Sequence, residues 1–164
     1  MSPLDSNRQR VRPVVRVRRA RPDEGERLRA IAIEAKAYWG YDRDRVVAWA
    51  EQVDLSPDAL QKKEVYVADE DGRPVGWASL IPRGDAAWLH DLWIEPGTIR
   101  TGVGTLLFRH VAERARSLGA SALEWEAEPN ALGFYERMGG RALRDSEPSE
   151  WGRTLQVMGV DLRT

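Results

Sequence analysis

A length of 164 residues, with 25 Lys and Arg against 26 Asp and Glu, predicts one nearly neutral globular domain and argues against a multidomain enzyme. The absence of cysteine excludes disulfides, thiolate nucleophiles and cysteine zinc sites, and the two histidines, His90 and His110, leave little for another metal site, so no metal is expected. No segment reaches the roughly 20 apolar residues that cross a bilayer, and the amino-terminal segment lacks the apolar run of a signal peptide, which predicts a cytoplasmic protein without a membrane partner.

The chain begins with an arginine-rich segment. We expect residues 1–12 to form a flexible leader and residues 13–164 to form the single domain, whose first strand spans 14–20 with arginines at its outward positions. Binding of nucleic-acid phosphates is the alternative, and a net charge of -1 makes it the weaker one. The segment contains Arg8, Arg10, Arg12, Arg16, Arg18, Arg19 and Arg21.

Helical patterns follow, and then a hairpin. Pro22 and the acidic residues after it indicate the start of a first helix, which ends near Gly40. Residues 43–63 predict two short helices, because Ser56 and Pro57 interrupt the pattern. Beyond them, two alternating apolar runs flank Asp71-Gly72, a dipeptide that is typical of a two-residue hairpin turn.

The second half of the chain alternates strands and helices. The mostly large apolar run at 86–94 predicts a buried central strand, and 102–118 is the clearest amphipathic helix, ended by Gly119. A strand at 121–126, a helix at 130–138 and strands at 141–145 and 154–162 complete the chain. This order predicts an α+β fold with a mostly antiparallel mixed sheet of six to seven strands, about four helices and one strand-helix-strand crossover, where ligands are expected.

A glycine loop lies at this crossover. Gly102 and Gly104 at the start of a helix let unpaired backbone N–H groups point one way, and the helix dipole adds positive charge, so the loop can bind an anion. A plain structural turn is the alternative. The loop lacks the Lys-Ser/Thr of an NTPase, and Leu107 stands where a dinucleotide fold has its third glycine, which leaves another phosphate-bearing ligand.

This loop resembles that of the GNAT acetyltransferases, which runs Gln/Arg-x-x-Gly-x-Gly/Ala, and Asn130 with the later segment 134–139 resembles the family's Asn…Phe-Tyr-Glu-x-x-Gly. Ile99 departs from the family's Gln/Arg. The resemblance implies a sheet splayed between its fourth and fifth strands, with acetyl-CoA as the cofactor. The residues that it implies for binding are the backbone of Leu92, Trp93 and Ile94 for the pantetheine arm, the N–H groups of Arg100, Thr101, Gly102, Val103, Gly104 and Thr105 for the pyrophosphate, and Asn130 and Tyr135 near the thioester.

The chemistry of acetyl transfer suggests the catalytic residues. The attacking amine must be neutral, so a base must take its proton, and the thiolate leaving group needs an acid. Given the resemblance, we expect Tyr135 to be the acid, although packing against the sheet is its alternative role. Glu126 is the first choice for the base, with Glu128, His90 and Asp91 as the other candidates. The resemblance implies direct attack on the thioester without a covalent intermediate, and the lack of cysteine agrees with this route.

The acceptor is predicted only by class. Tyr38, Trp39 and Tyr41 resemble the family's acceptor-binding wall, with core packing as the equal alternative. We therefore expect an acyl-CoA-dependent N-acetyltransferase that acts on an amine of a small molecule or peptide, and a non-catalytic acyl-CoA-binding regulatory domain is the alternative. A carboxyl-terminal strand pair would offer an edge for a homodimer.

Overall fold

Seven strands form one sheet in the computed structural model, which describes residues 14–149 and 152–163. Their order across the sheet is β1-β2-β3-β4-β5-β7-β6, and all neighbours are antiparallel except β4 and β5, which are parallel. The predicted α+β fold is therefore confirmed, while the leader predicted over 1–12 lies outside the described residues. The strands are β1 (Val15–Arg19), β2 (Glu64–Glu70), β3 (Arg73–Arg83), β4 (Ala86–Ile94), β5 (Ala122–Ala127), β6 (Arg141–Asp145) and β7 (Gln156–Asp161).

Five α-helices, one more than expected, lie in the described ranges: α1 (Gly25–Tyr38), α2 (Arg43–Glu51), α3 (Pro57–Lys62), α4 (Val103–Ser117) and α5 (Leu132–Arg137). The predicted break between α2 and α3 is present, and the Ser56 side chain caps α3 by accepting a hydrogen bond from Ala59 N. The helix predicted at 130–138 is shorter, since Pro129–Ala131 form a separate 3₁₀ turn before α5. In these ranges no helix is both long and apolar enough to cross a membrane.

Each face of the sheet covers its own apolar core. On one face, α4 packs Leu107 and Val111 against a cluster that includes Trp125. On the other, α1 packs Leu28 and Ile31 against Trp77, whose indole N–H also donates to the Leu28 carbonyl at 2.8 Å. Burial of this apolar area is the main stabilising contribution to the fold, and it fixes both helices that flank the centre of the sheet.

Strand β4 is buried on both faces only in its first half. Leu80 lies opposite Leu89 and Ser79 lies opposite Asp91, so His90 is the additional residue of a β-bulge, and its side chain is exposed. The strand pairs with β5 only at residues 86–88. Beyond this point the two strands separate, as expected for the predicted splayed sheet. They leave a gap beside the last residues of β4.

The arginines of β1 mostly point outward, as predicted. Arg16 and Arg19 are exposed, whereas Arg18 is partly buried and binds the carboxylates of Glu24 and Asp69 at 2.8 and 2.7 Å. These ion pairs join β1 to the start of α1 and to β2. The positive charge of Arg18 is therefore used inside the fold.

Candidate functional site

The glycine loop leads from β4 into α4 and presents backbone donors at the start of the helix. Arg100 and Gly102 both have positive φ, 70° and 90°, which turns the chain into the helix. The first hydrogen bond of α4 runs from Leu106 N to Gly102 O, so the N–H groups at 102–105 have no carbonyl within the helix to bind. Thr101 differs from the prediction, because its N–H already donates to Thr98 O at 3.3 Å.

The two glycines of the loop serve different purposes. A Cβ on Gly102 would have no atom within 4 Å, so this position faces open space, and its φ of 90° favours glycine. A Cβ on Gly104 would lie 3.3 Å from the ring of Phe134, so glycine here lets α4 pack closely against α5. An anion can therefore approach the helix start at Gly102, whereas Gly104 sets how closely α4 and α5 pack.

The last residues of β4 border the gap. Leu92, Trp93 and Ile94 pair with β3 on one side, and their other edge faces the space where β5 has turned away. Leu92 and Ile94 pack toward the α4 side, while Trp93 lies on the α1 side. An extended ligand arm can add to this edge in the manner of a further strand.

Tyr135 is buried in the apolar cluster on the α4 side of the sheet. Its ring packs 5.0 Å from that of Trp125 and 5.3 Å from that of Phe134, measured between centroids. Burial raises the pKa of the Tyr135 hydroxyl well above its usual value, and the negative charge of Glu128 adds to the shift. The hydroxyl therefore carries its proton at neutral pH, which is the state that a general acid needs.

A hydrogen-bonded chain crosses the other side of the gap. The Tyr41 hydroxyl donates to the Glu128 carboxylate at 2.8 Å, and Arg153 donates to the Tyr41 oxygen at 2.6 Å. Asn130 also donates to Glu128, at 2.9 Å. Burial and the nearby carboxylate raise the pKa of Tyr41. These contacts fix the carboxylate at the end of β5, facing the segment that joins α1 to α2.

Three aromatic rings next to this chain, Tyr41, Trp49 and Trp93, surround the ammonium group of Lys36, and we call them the aromatic cage. The Lys36 nitrogen lies 3.8 Å from the Trp49 ring centroid, 5.7 Å from that of Trp93 and 5.9 Å from that of Tyr41. Trp49 and Trp93 meet edge to face at 5.2 Å. The cage therefore offers several ring faces to one alkylammonium group.

Two of the predicted catalytic carboxylates lie in contrasting environments. Glu126 is exposed on β5, opposite Val157. Asp91 is buried, and it accepts hydrogen bonds from Ser79 at 2.6 Å and from the Trp93 indole at 3.0 Å. These two donors hold Asp91 within the packing of β3 and β4, and its carboxylate fixes the Trp93 indole.

Only one member of the predicted acceptor wall belongs to the cage. Tyr38 and Trp39 are exposed at the end of α1 and pack edge to face on each other at 4.9 Å, whereas Tyr41 turns inward. Lys36, Trp49 and Arg153 were not predicted from the sequence. The aromatic residues around α1 and α2 were the signal for Lys36 and Trp49, whereas nothing in the sequence connects Arg153 to residues so far away in the chain.

Comparison with known proteins identifies the family. A family model described as "Acetyltransferase (GNAT) family" matches residues 26–140. A relative named peptidyl-lysine N-acetyltransferase YjaB, from Salmonella typhimurium, is 28% identical over 152 residues, which cover 90% of this chain and 97% of that protein. The chain is also 28% identical over 116 residues to N-acetyltransferase MJ1207 of Methanocaldococcus jannaschii, covering 63% of this chain and 51% of that one.

Solved structures have the same fold. The PaiA N-acetyltransferase of Thermoplasma acidophilum, in complex with coenzyme A, superposes with a TM-score of 0.74 at 15% identity, covering 90% of this chain and 99% of that one. YncA of Salmonella typhimurium, solved with acetyl-CoA, gives 0.67 at 19% identity, covering 92% and 95%. As the glycine loop and the Asn130 segment predicted, the chain belongs to the acetyltransferase (GNAT) family and is an acetyl-CoA-dependent N-acetyltransferase.

Proposed function

We propose that the acceptor is the side-chain amine of a lysine in a peptide or protein. The observation that carries this proposal is the aromatic cage beside the gap, which encloses an alkylammonium group, that of Lys36. The side chain of an acceptor lysine has the same group on the same flexible stem, so it can take the place of Lys36 against the ring faces. The name of the YjaB relative supports the same class of acceptor.

The residues around the gap fit acetyl-CoA. The free N–H groups at 102–105 and the helix dipole suit its pyrophosphate, and the exposed side chain of Arg100, just before them in the chain, can add positive charge. The free edge of Leu92–Ile94 suits the pantetheine arm, which leads toward Asn130 and Tyr135. Bound acetyl-CoA supplies the thioester carbonyl that the acceptor amine attacks.

We propose Glu128 as the group that receives the acceptor's proton, directly or through water. Its carboxylate is held by Tyr41 and Asn130 next to the cage, and its charge reaches Tyr135 on the other side of the gap. Glu126, the first choice from the sequence, is exposed on β5 and has no comparable set of hydrogen bonds in the described part of the chain. A base must be oriented toward the amine as well as near it.

Tyr135 then provides the proton for the departing thiolate. Its buried hydroxyl is protonated throughout the physiological pH range, and it regains from the attacking nitrogen the proton that it gives to the thiolate. Amine attack and thiolate departure proceed directly between the two substrates, with Glu128 on the acceptor side and Tyr135 on the α4 side. No covalent intermediate on the protein is needed.

A comparison of acceptors tests the proposal. Release of the CoA thiol is measured with a lysine peptide, with the same peptide carrying arginine instead, and with small aliphatic amines. We expect kcat/KM to be highest for the lysine peptide, with no turnover of the arginine peptide. Turnover of small amines alone would show that the acceptor is a small molecule.

We also propose that two copies pair along β6. This edge strand has all five side chains exposed. Antiparallel pairing about Leu143 would place Arg141 of each copy opposite Asp145 of the other, and such opposite charges stabilise cross-strand pairs. Sedimentation of the wild-type protein and of Leu143→Lys tests this: the variant is expected to be monomeric, and a wild-type monomer would contradict the pairing.

A further inference from the structure

The position of Lys36 points to a modification site within the chain itself. Lys36 lies on α1, is half-buried, and has its ammonium group inside the aromatic cage. If the cage receives acceptor lysines, as proposed above, then Lys36 occupies the place of an acceptor. We propose that the enzyme acetylates its own Lys36 with acetyl-CoA as the donor, an inference that rests on the proposed lysine acceptor.

The cage borders the edge where the thioester arm is expected. Trp93, one of its rings, is in the part of β4 that has separated from β5. The indole is fixed by its hydrogen bond to the buried carboxylate of Asp91, which also accepts from Ser79. An amine held against this ring therefore lies on the acceptor side of the gap, in a wall with little freedom to move.

The same cage is linked to a proton acceptor. Tyr41 contributes its ring to the cage and its hydroxyl to the Glu128 carboxylate. Tyr41 therefore contacts both groups, with its ring centroid 5.9 Å from the Lys36 nitrogen and its hydroxyl 2.8 Å from the carboxylate. Loss of the ammonium proton to Glu128, directly or through water, leaves the neutral amine that a thioester requires.

The reaction balances without another reagent. The neutral Lys36 nitrogen attacks the thioester carbonyl carbon, the C–N bond forms and the C–S bond breaks. The ammonium proton leaves through Glu128 before the attack. The thiolate then takes a proton from Tyr135, and the proton that the nitrogen loses as the amide forms restores the Tyr135 hydroxyl. The products are N-acetylated Lys36 and free CoA, so each chain is modified once.

The composition provides internal controls. The sequence contains only three lysines, Lys36, Lys62 and Lys63. The last two are exposed at the end of α3, where Lys62 pairs with Asp58 at 3.2 Å. Uncatalysed acetylation by acetyl-CoA favours exposed amines, so it should modify these two faster than the half-buried Lys36. The enzyme-catalysed reaction predicts the opposite order.

The test uses the full chain and acetyl-CoA that carries ¹³C in the acetyl group, so that acetyl groups acquired during expression are not counted. Peptide mass spectrometry follows label at each lysine over time. We expect Lys36 to be labelled at least about tenfold faster than the other two lysines, because the proposed reaction takes place between groups held in one site. Label at Lys36 that is no faster than at Lys62 and Lys63 would overturn the proposal.

Two further measurements distinguish enzyme-catalysed acetylation of Lys36 from uncatalysed acetylation by acetyl-CoA in solution. In Gly102→Ala, which obstructs the phosphate end of the donor site, label at Lys36 should fall while label at Lys62 and Lys63 stays the same. The rate per chain should also not change on tenfold dilution of the protein, because the lysine and the site belong to one chain. A Lys36 rate that survives Gly102→Ala, or one that falls with dilution, contradicts the proposal.

A lysine peptide in the same reaction distinguishes the two proposals. Peptide acetylation without label at Lys36 overturns self-acetylation and leaves the proposed acceptor standing. Label at Lys36 without peptide acetylation supports the modification site and overturns the proposed acceptor as an external peptide.

Discussion

The hydroxyl of Tyr41 donates a hydrogen bond to the carboxylate of Glu128 at 2.8 Å, although the two residues are 87 positions apart in the chain. The bond joins the connection between α1 and α2 to the end of β5, across the gap in the sheet. Arg153, from the segment before β7, donates to the same hydroxyl. Three distant parts of the chain therefore meet at one side of the gap, where we expect the acceptor.

Removing the Tyr41 hydroxyl should impair the reaction with the acceptor amine more than it impairs the binding of acetyl-CoA. In Tyr41→Phe the Glu128 carboxylate loses a donor, and hydrogen bonds to charged groups contribute about 1.5–3 kcal/mol. We expect kcat/KM for a lysine peptide to fall at least about tenfold. Calorimetric titration with acetyl-CoA should give an unchanged Kd, and weaker donor binding with normal acceptor kinetics would contradict the assignment.

Glutamine substitutions at Glu126, on β5, and at Glu128, just after β5, distinguish the two candidate bases. Glu128→Gln retains size and hydrogen bonding but cannot take a proton, so kcat should fall by about two orders of magnitude. Glu126→Gln is the matched control on an exposed side chain, and its kcat should stay within about twofold of the wild type. A large loss of kcat in Glu126→Gln, with little change in Glu128→Gln, would instead identify Glu126 as the base, which was the first choice from the sequence.

The donor site can be tested by alanine substitutions at the two glycines that flank α4. Gly102 and Gly119 precede and follow α4, have φ of 90° and 91°, and both have open space where a Cβ would be. Alanine at either position should therefore cost a similar conformational strain of about 1 kcal/mol in unfolding free energy. Only Gly102→Ala is expected to weaken acetyl-CoA binding, measured by calorimetry.

Equal loss of binding in the two variants would show that strain in α4, rather than contact with the phosphates, is responsible. If Gly102→Ala binds acetyl-CoA with the wild-type Kd, the start of α4 is not part of the donor site.

Local patterns in the sequence predicted most of the fold. Asp71 and Gly72 do form a two-residue turn, with φ of 51° and 90°, because this dipeptide tolerates the left-handed region. The break between α2 and α3 followed from Ser56 and Pro57 in the same way. These features depend on neighbouring residues, so the sequence displays them directly.

The candidate site was less predictable because its side chains meet through tertiary structure. Glu126 was the first choice from the sequence and Asp91 another candidate, and only the packing shows that Asp91 is buried against Ser79 and Trp93 while Glu126 is exposed. Similarly, Tyr41 and Trp39 are two positions apart and point to different surroundings. The bulge at His90, which shifts the side chains of β4 beyond it by one position, also has no signature in the sequence.

Asp91 should prove to be a stabilising and positioning residue. In Asp91→Ala, the Ser79 hydroxyl and the Trp93 indole N–H lose their common acceptor in a buried site, which costs about 1–3 kcal/mol for each unsatisfied group. We expect a clear drop in the unfolding free energy, measured with urea. The kcat of the remaining folded protein should decrease only modestly, and a loss of kcat without a loss of stability would instead support a catalytic role.

The ion pair between Glu64 and Arg114 should make the stability of the fold sensitive to acid. Both carboxylate oxygens of Glu64 on β2 accept from the Arg114 guanidinium on α4, at 2.9 and 3.1 Å, and this lowers the pKa of Glu64 from 4.5 to about 2. A lowered pKa in the folded state means that stabilisation is complete above pH 4.5 and is lost as the pH falls toward 2. Glu64→Gln should therefore lower stability at pH 7 and flatten its decline between pH 4.5 and 2.

Thermal unfolding at several pH values measures this difference. Glu34→Gln is the control, because its ion pair with Arg43 is exposed on both sides and contributes little. Its curve should run parallel to that of the wild type. Arg18 also lowers the pKa values of Glu24 and Asp69, so the wild type and Glu64→Gln both lose stability in acid. Only the difference between these two curves measures the contribution of Glu64. Identical slopes for wild type and Glu64→Gln would mean that the pair between β2 and α4 persists in the unfolded chain or contributes nothing to folding.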